Sequence, residues 1–164
     1  MKYKGFLFEL GKPTANGTVY SKEEMERAIE EFKKEGKHFG KIGQDYWGDF
    51  DHPTPMKDWS HEIVSIDIEK DKYGNENVFG TIDTLGTPNG KIAEEMMEQS
   101  AFALRGIGCT GEFGKVKDLK IISIDLVPRN SGLGDQHPKL IEDEKTDILE
   151  EDPQNNVLYI QKEK

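Results

Sequence analysis

Apolar and polar positions follow two periods along this chain, and the switches between them mark its elements. Tyr3 to Leu10 sets aromatics and leucines between charges and predicts a strand. After the turn formers Pro13, Asn16 and Gly17, Met25, Ala28, Ile29 and Phe32 recur at helical spacing. Ser21 and Glu24 stand at capping-box spacing ahead of that stripe, and Gly36 closes it. Residues 37 to 60 carry five Gly and Pro punctuators and predict a long loop. From His61 to Lys70 the period returns to two, with Val64, Ile66 and Ile68 on one face. A turn at Asp71–Asn75 and a return strand from Val78 to Leu85 complete a hairpin. Thr87-Pro88-Asn89-Gly90 opens a short helix from Lys91 to about Gln99, with Ile92, Met96 and Met97 inward. Ala101–Phe113 and Leu119–Val127 predict two more strands, the second alternating Ile122, Ile124 and Leu126 against Ser123 and Asp125.

This pattern predicts an α+β fold: a mainly antiparallel sheet, or a small barrel, with two helices. The predicted domain covers residues 1–130. Residues 131–164 form an acidic C-terminal extension, in which Val157–Ile160 can add a late strand to this domain or to a partner's sheet edge.

Composition narrows the function classes. Of the 164 residues, 34% are hydrophobic and 33% charged, mean hydropathy is -0.74 and formal charge is -10. Such an acidic surface argues against a nucleic-acid polymer as partner, because phosphate backbones are met by clustered Lys and Arg. No apolar run reaches the length of a membrane span, and the first nine residues are too short for a signal peptide, so no membrane partner is expected. The single Cys109 excludes an internal disulfide and suits a reducing compartment.

The candidate chemistry lies in two places. Ala103-Leu104-Arg105-Gly106-Ile107-Gly108 joins a guanidinium to glycines whose backbone N–H groups can approach an anion. The plainer reading of Arg105 is an internal salt bridge that holds the strand end. The long loop supplies Tyr46, Trp47, Phe50 and Trp59, able to stack on a ligand or to pin the loop. Asp45, Asp49, Asp51, His52 and His61 are an acid-and-imidazole set whose spacing matches no metal motif, so no metal site and no cofactor are assigned. For Cys109 the plain expectation is a small buried hydrophobe, and for Ser100 and Ser60-His61 ordinary polar residues at element ends.

Several motifs in shared order resemble the tailed-phage prohead (capsid maturation) serine proteases, relatives of the herpesvirus assemblins. Asn16-Gly17-Thr18-Val19-Tyr20-Ser21 is similar to the family's Asn-x-Arg-x-Tyr-Pro entry to a helix. Phe39-Gly40-Lys41-Ile42-Gly43-Gln44 is similar to its Gly-Glu-Leu-x-His-Pro segment. Thr87-Pro88-Asn89-Gly90-Lys91-Ile92 resembles a Thr-Pro-x-Gly turn and helix, and Ala103-Leu104-Arg105-Gly106-Ile107-Gly108 its Ser-Ser-Arg-Gly-Leu-Gly. The resemblance implies a Ser nucleophile and a His base. The nucleophile falls on Ala103, which has no reactive atom. The base falls on Gln44 by one alignment and on His52, with Pro53, by another.

The expectation is therefore a degenerate, catalytically inactive relative in the cytoplasm of an infected host cell or in the virion head. It would bind phage head proteins or the maturation protease, and the resemblance adds self-association into a homo-oligomer. Two other readings stand beside it: a counter-defence protein that sequesters a small anionic ligand such as a signalling nucleotide through Arg105, Gly106, Gly108, Trp47, His52 and His61, and an active protease with a displaced nucleophile at Cys109 or Ser100.

Overall fold

The computed structural model describes residues 1–14, 16–43, 52–129 and 137–141, and the backbone of two strands at 147–152 and 157–162. Its elements are β1 (Lys2–Glu9), α1 (Lys22–Lys34), β2 (His38–Gly40), β3 (His61–Lys70), β4 (Glu76–Thr84), α2 (Pro88–Met96), β5 (Ser100–Thr110), β6 (Val116–Pro128), β7 (Lys139–Ile141), β8 (Asp147–Asp152) and β9 (Val157–Lys162). The fold is α+β with antiparallel ladders throughout the sheets, as the residue pattern predicts.

The largest sheet has the order β2-β3-β4-β1-β7. β5 and β6 form a hairpin of their own, stitched to that sheet beside β2. There Leu126 donates its N–H to Lys41 O (2.9 Å) and accepts from Gly43 N–H (2.6 Å). At its other end β6 meets Val19, with Val116 N–H on Val19 O at 2.9 Å. Hydrogen bonding thus runs around a small barrel from β1 through β4, β3, β2 and β6 to β5. It stops there, because among the described residues no ladder joins β5 to β1.

The interior is filled by Ile63, Ile66, Val78, Ile82, Phe102, Ile124 and Leu126. Two glycines let the hairpin approach: a Cβ at Gly5 would sit 2.6 Å from the Phe102 ring, and one at Gly80 2.5 Å from Ile124 Cδ1. Helix α1 lays Met25, Ala28, Ile29 and Phe32 against the core, as its stripe predicts. Ser21 accepts from Glu24 N–H at 3.3 Å. Glu24 does not reach back to close the capping box. It pairs with Arg27, and together they grip Leu119: Glu24 Oε2 accepts its N–H (2.7 Å) and Arg27 Nη2 donates to its carbonyl (2.9 Å). The local cap is opened for a tertiary tie between α1 and β6.

Four local expectations are corrected. A bulge between Ile63 and Ser65 shifts the register of β3, so Val64 turns to solvent and Ile63 takes the core position. In α2 the buried residues are Gly90 and Ala93, followed by Met97 just past the helix, whereas Ile92 and Met96 are nearly half exposed. Both faces of β6 are covered, and Ser123 and Asp125 are as buried as Ile124. The loop predicted from residue 37 contains the short strand β2, whose Phe39 stacks on Trp59 at 3.9 Å. Tyr46, Trp47 and Phe50 lie outside the described residues. β7 of the C-terminal extension pairs with β1 over Lys2–Lys4.

Gly40 is a point of close approach between β2, β3 and β6. A Cβ there would collide with His61 Nε2 and with the backbone oxygen of Ile124. Gly40→Ala is expected to destabilise the protein by roughly 3 kcal/mol or more, as overpacking against backbone does. Gly86→Ala, with open space around its Cβ, is expected within about 0.5 kcal/mol of wild type. Urea denaturation of both variants measures the difference.

Candidate functional site

Arg105 is an arginine in an otherwise apolar strand, and the fold buries it to 7% exposure. A guanidinium out of water needs a carboxylate and further acceptors. The partner comes from β6. Residues Ala103 and Arg105 stand opposite Asp125 and Ser123 in the β5–β6 ladder, so all four share a face. Arg105 Nε donates to Asp125 Oδ2 at 2.7 Å and Nη2 approaches Oδ1 at 3.5 Å. Nη2 also donates to Thr54 Oγ1 (2.6 Å), and Nη1 donates to the carbonyl of His52 (2.5 Å). Asp125 Oδ1 accepts in addition from Ser123 Oγ (3.0 Å) and from the Lys41 backbone N–H (3.3 Å). One ion pair therefore joins β5, β6, the chain after β2 and the segment 52–54.

That arrangement brings together three of the residues predicted from sequence, Arg105, Ala103 and His52. Ala103 is the cross-strand neighbour of Asp125, and the His52 backbone rests on Arg105, with His52 itself exposed. Gln44 and Trp47, and the acids Asp45, Asp49 and Asp51, lie outside the described residues. Arg105 is turned inward rather than presented as an anion clamp, since three of its nitrogens donate to groups of the chain itself. Gly106 and Gly108 serve close packing: a Cβ at Gly106 would sit 2.6 Å from Lys120 O, and one at Gly108 3.1 Å from Lys117 O.

His61 is apart from this cluster and fully buried. Its Nε2–H donates to Ile124 O at 2.7 Å, which leaves Nδ1 to accept from Ser60 Oγ at 2.7 Å. This is a Ser–His hydrogen bond, but both residues are sealed in the core, where no substrate reaches them. Burial pushes the His61 ring below its ordinary value, outweighing the Ile124 carbonyl and the Asp125 charge. Ser100 is buried and donates to Met96 O at 2.7 Å. Cys109 is exposed, against the expectation of a buried thiol, because β5 beyond Arg105 projects past the core.

Asp125, Thr54 and Ser123 were not legible as site residues from alternation alone. The available signals were an arginine flanked by Leu104 and Ile107, which demands a carboxylate, and the lone acid within Ile121–Val127, which can supply it.

With this geometry in view, comparison with known proteins identifies the fold. No family model matches the chain, and no curated protein matches its sequence. A solved structure does: the bacteriophage T4 capsid assembly protease, gp21. The match has a TM-score of 0.62 at 16% identity and covers 79% of this chain and 82% of that one. This chain has the fold of a phage capsid assembly protease.

Two outcomes follow for the cluster. Arg105→Ala leaves Asp125 buried without its cation and is expected to cost about 3–5 kcal/mol in urea denaturation. A variant that keeps wild-type stability would contradict the structural role. For His61 the sign is set by its depressed folded value. The unfolded chain binds the proton more readily, with an ordinary value of about 6.5, so stability holds above that pH and declines as pH falls through and below it. The urea midpoint should drop between about pH 7.5 and about pH 5, a range that spans the ordinary imidazole value, and drop less in His61→Gln.

Proposed function

We propose that this chain is a catalytically inactive relative of the phage capsid-maturation proteases and acts by binding, in head assembly or in regulation of the maturation protease. One observation carries the reading. On the face of β5 that bears Arg105, and directly across from Asp125, the residue is Ala103 and the next is Leu104. Neither has an atom able to attack a carbonyl, and loss of a nucleophile removes nearly all of the rate such a site provides. The other oxygens considered are spent or sealed: Ser100 Oγ on Met96 O, Ser60 Oγ on buried His61.

The reading in which a small anion is held by Arg105 loses its cation to Asp125, so protein partners are favoured. Among the described residues no helix is long and apolar enough to cross a membrane, and the proposed place of action is the cytoplasm of the infected host cell.

The test has two arms. Intact-mass analysis of the wild-type chain, alone and with phage head proteins, should show no new termini and no labelling by a serine-directed fluorophosphonate, with His52→Ala indistinguishable. Cleavage that disappears in Cys109→Ala or Ser100→Ala would establish a displaced nucleophile and end the proposal. Affinity capture from infected cells should recover head proteins or the maturation protease. A capture that recovers neither counts against the binding role.

A further inference from the structure

The turn at the tip of the β5–β6 hairpin presents an aromatic knob, and we infer that in solution it seats in a cavity of a second copy of this chain. Phe113 is 93% exposed, the most exposed of the large apolar side chains among the described residues. Its backbone is also left-handed, with φ at 58°. For a bulky residue that conformation is strained, whereas a glycine adopts it freely. One position thus carries two costs, an aromatic ring left in water and a strained backbone, and the ring buries almost nothing within its own copy. The turn is nevertheless firmly held. Gly111 N–H donates to Lys115 O at 2.7 Å, and Val19 N–H donates to Gly114 O at 2.8 Å. A Cβ at Gly114 would collide with the Gly17 carbonyl oxygen. The knob therefore projects from an ordered mount, which lowers the entropy cost of using one side chain as an interface anchor.

A cavity of about 440 Å³ opens beside that mount. Thr14 and Thr18 line it, and Thr18 lies between Gly17 and Val19, the two residues that hold the turn. Its wall is largely apolar: Leu7, the Phe8–Tyr20 pair stacked at 4.3 Å, Phe102 and Leu104. An apolar cavity of about 150 Å³ is enough to take a benzene ring, so a phenyl side chain has ample room. Phe113 does not fill the cavity of its own copy, since its ring stands in water. Knob and hole lie side by side on one patch. A two-fold axis between them places each knob in the other copy's hole, the self-complementarity that a symmetric dimer requires. The charges agree. Glu112 and Lys115 stand beside Phe113 in the turn, and Glu9 and Lys12 stand at the cavity. Each surface carries a charge of either sign, so the two can meet acid to base. An interface built on two such anchors is smaller than the standard ~1,600 Å², so dissociation in the micromolar range is expected. The inference is independent of the proposed role in head assembly and of whether the chain has protease activity.

Analytical ultracentrifugation of the full-length protein tests it. Wild type should pass from monomer to dimer as its concentration rises from about 1 μM to about 500 μM. Phe113→Gly removes the knob and relieves the left-handed residue, so its urea midpoint should stay close to that of wild type. Its dimer dissociation constant should nevertheless rise about thirtyfold or more, as loss of an interface anchor does. Wild type that stays monomeric across that range overturns the inference, and so does Phe113→Gly that dimerises as wild type does. The contact is located with p-benzoylphenylalanine in place of Phe113, using a mixture of light and heavy nitrogen-labelled chains. Irradiation should join position 113 of one copy to a peptide of the other between Phe6 and Tyr20 or between Phe102 and Leu104. Links confined to one copy, or links to any other part of the second copy, overturn the assignment.

Discussion

The Arg105–Asp125 pair is the interaction on which the geometry around β5 depends. Both side chains are almost wholly out of water, where a lone charge is far costlier than any single contact is favourable. The pair is tolerated because its remaining donors and acceptors are met by Thr54, Ser123, the His52 carbonyl and the Lys41 amide. Those partners come from separate stretches of chain. Satisfying one guanidinium therefore places the segment 52–54 against β5 and the chain after β2 against β6. The same requirement explains why Arg105 is unavailable to a ligand.

A second constraint lies deeper, at the contact of β2, β3 and β6. The His61 ring spans Ser60 and the Ile124 carbonyl, and it fits because Gly40 leaves room for it. An imidazole beside a serine would ordinarily suggest chemistry. Here its burial, its fixed hydrogen bonds and its preference for the neutral form make it part of the packing between strands. Residue type alone does not separate these roles; access to solvent does.

Around position 103 the fold gathers polar and charged groups, while Ala103 and Leu104 themselves carry no hydroxyl or thiol. Asp125 lies across the strand, Arg105 two residues on, and His52 is brought to the same region through its backbone. Likeness to a phage capsid assembly protease at low identity fixes the fold, and the alanine at 103 directs the functional reading toward binding.

Local physics was legible in the chain. The stripe Met25, Ala28, Ile29, Phe32, its Ser21 cap and the β3–β4 hairpin depend on neighbours within a few residues, and they form as the pattern predicts. The absence of a reactive atom at Ala103 is likewise a fact of sequence. Partnerships across long separations were not legible: which acid meets Arg105, where Glu24 spends its carboxylate, and that His61 faces the core rather than a cleft. Nor was the bulge that turns Val64 outward, or the projection that exposes Cys109. Periodicity records which side of an element is apolar, because that is set residue by residue. Which elements face one another, and which polar groups are then trapped between them, is decided only when the sheet and the β5–β6 hairpin pack together.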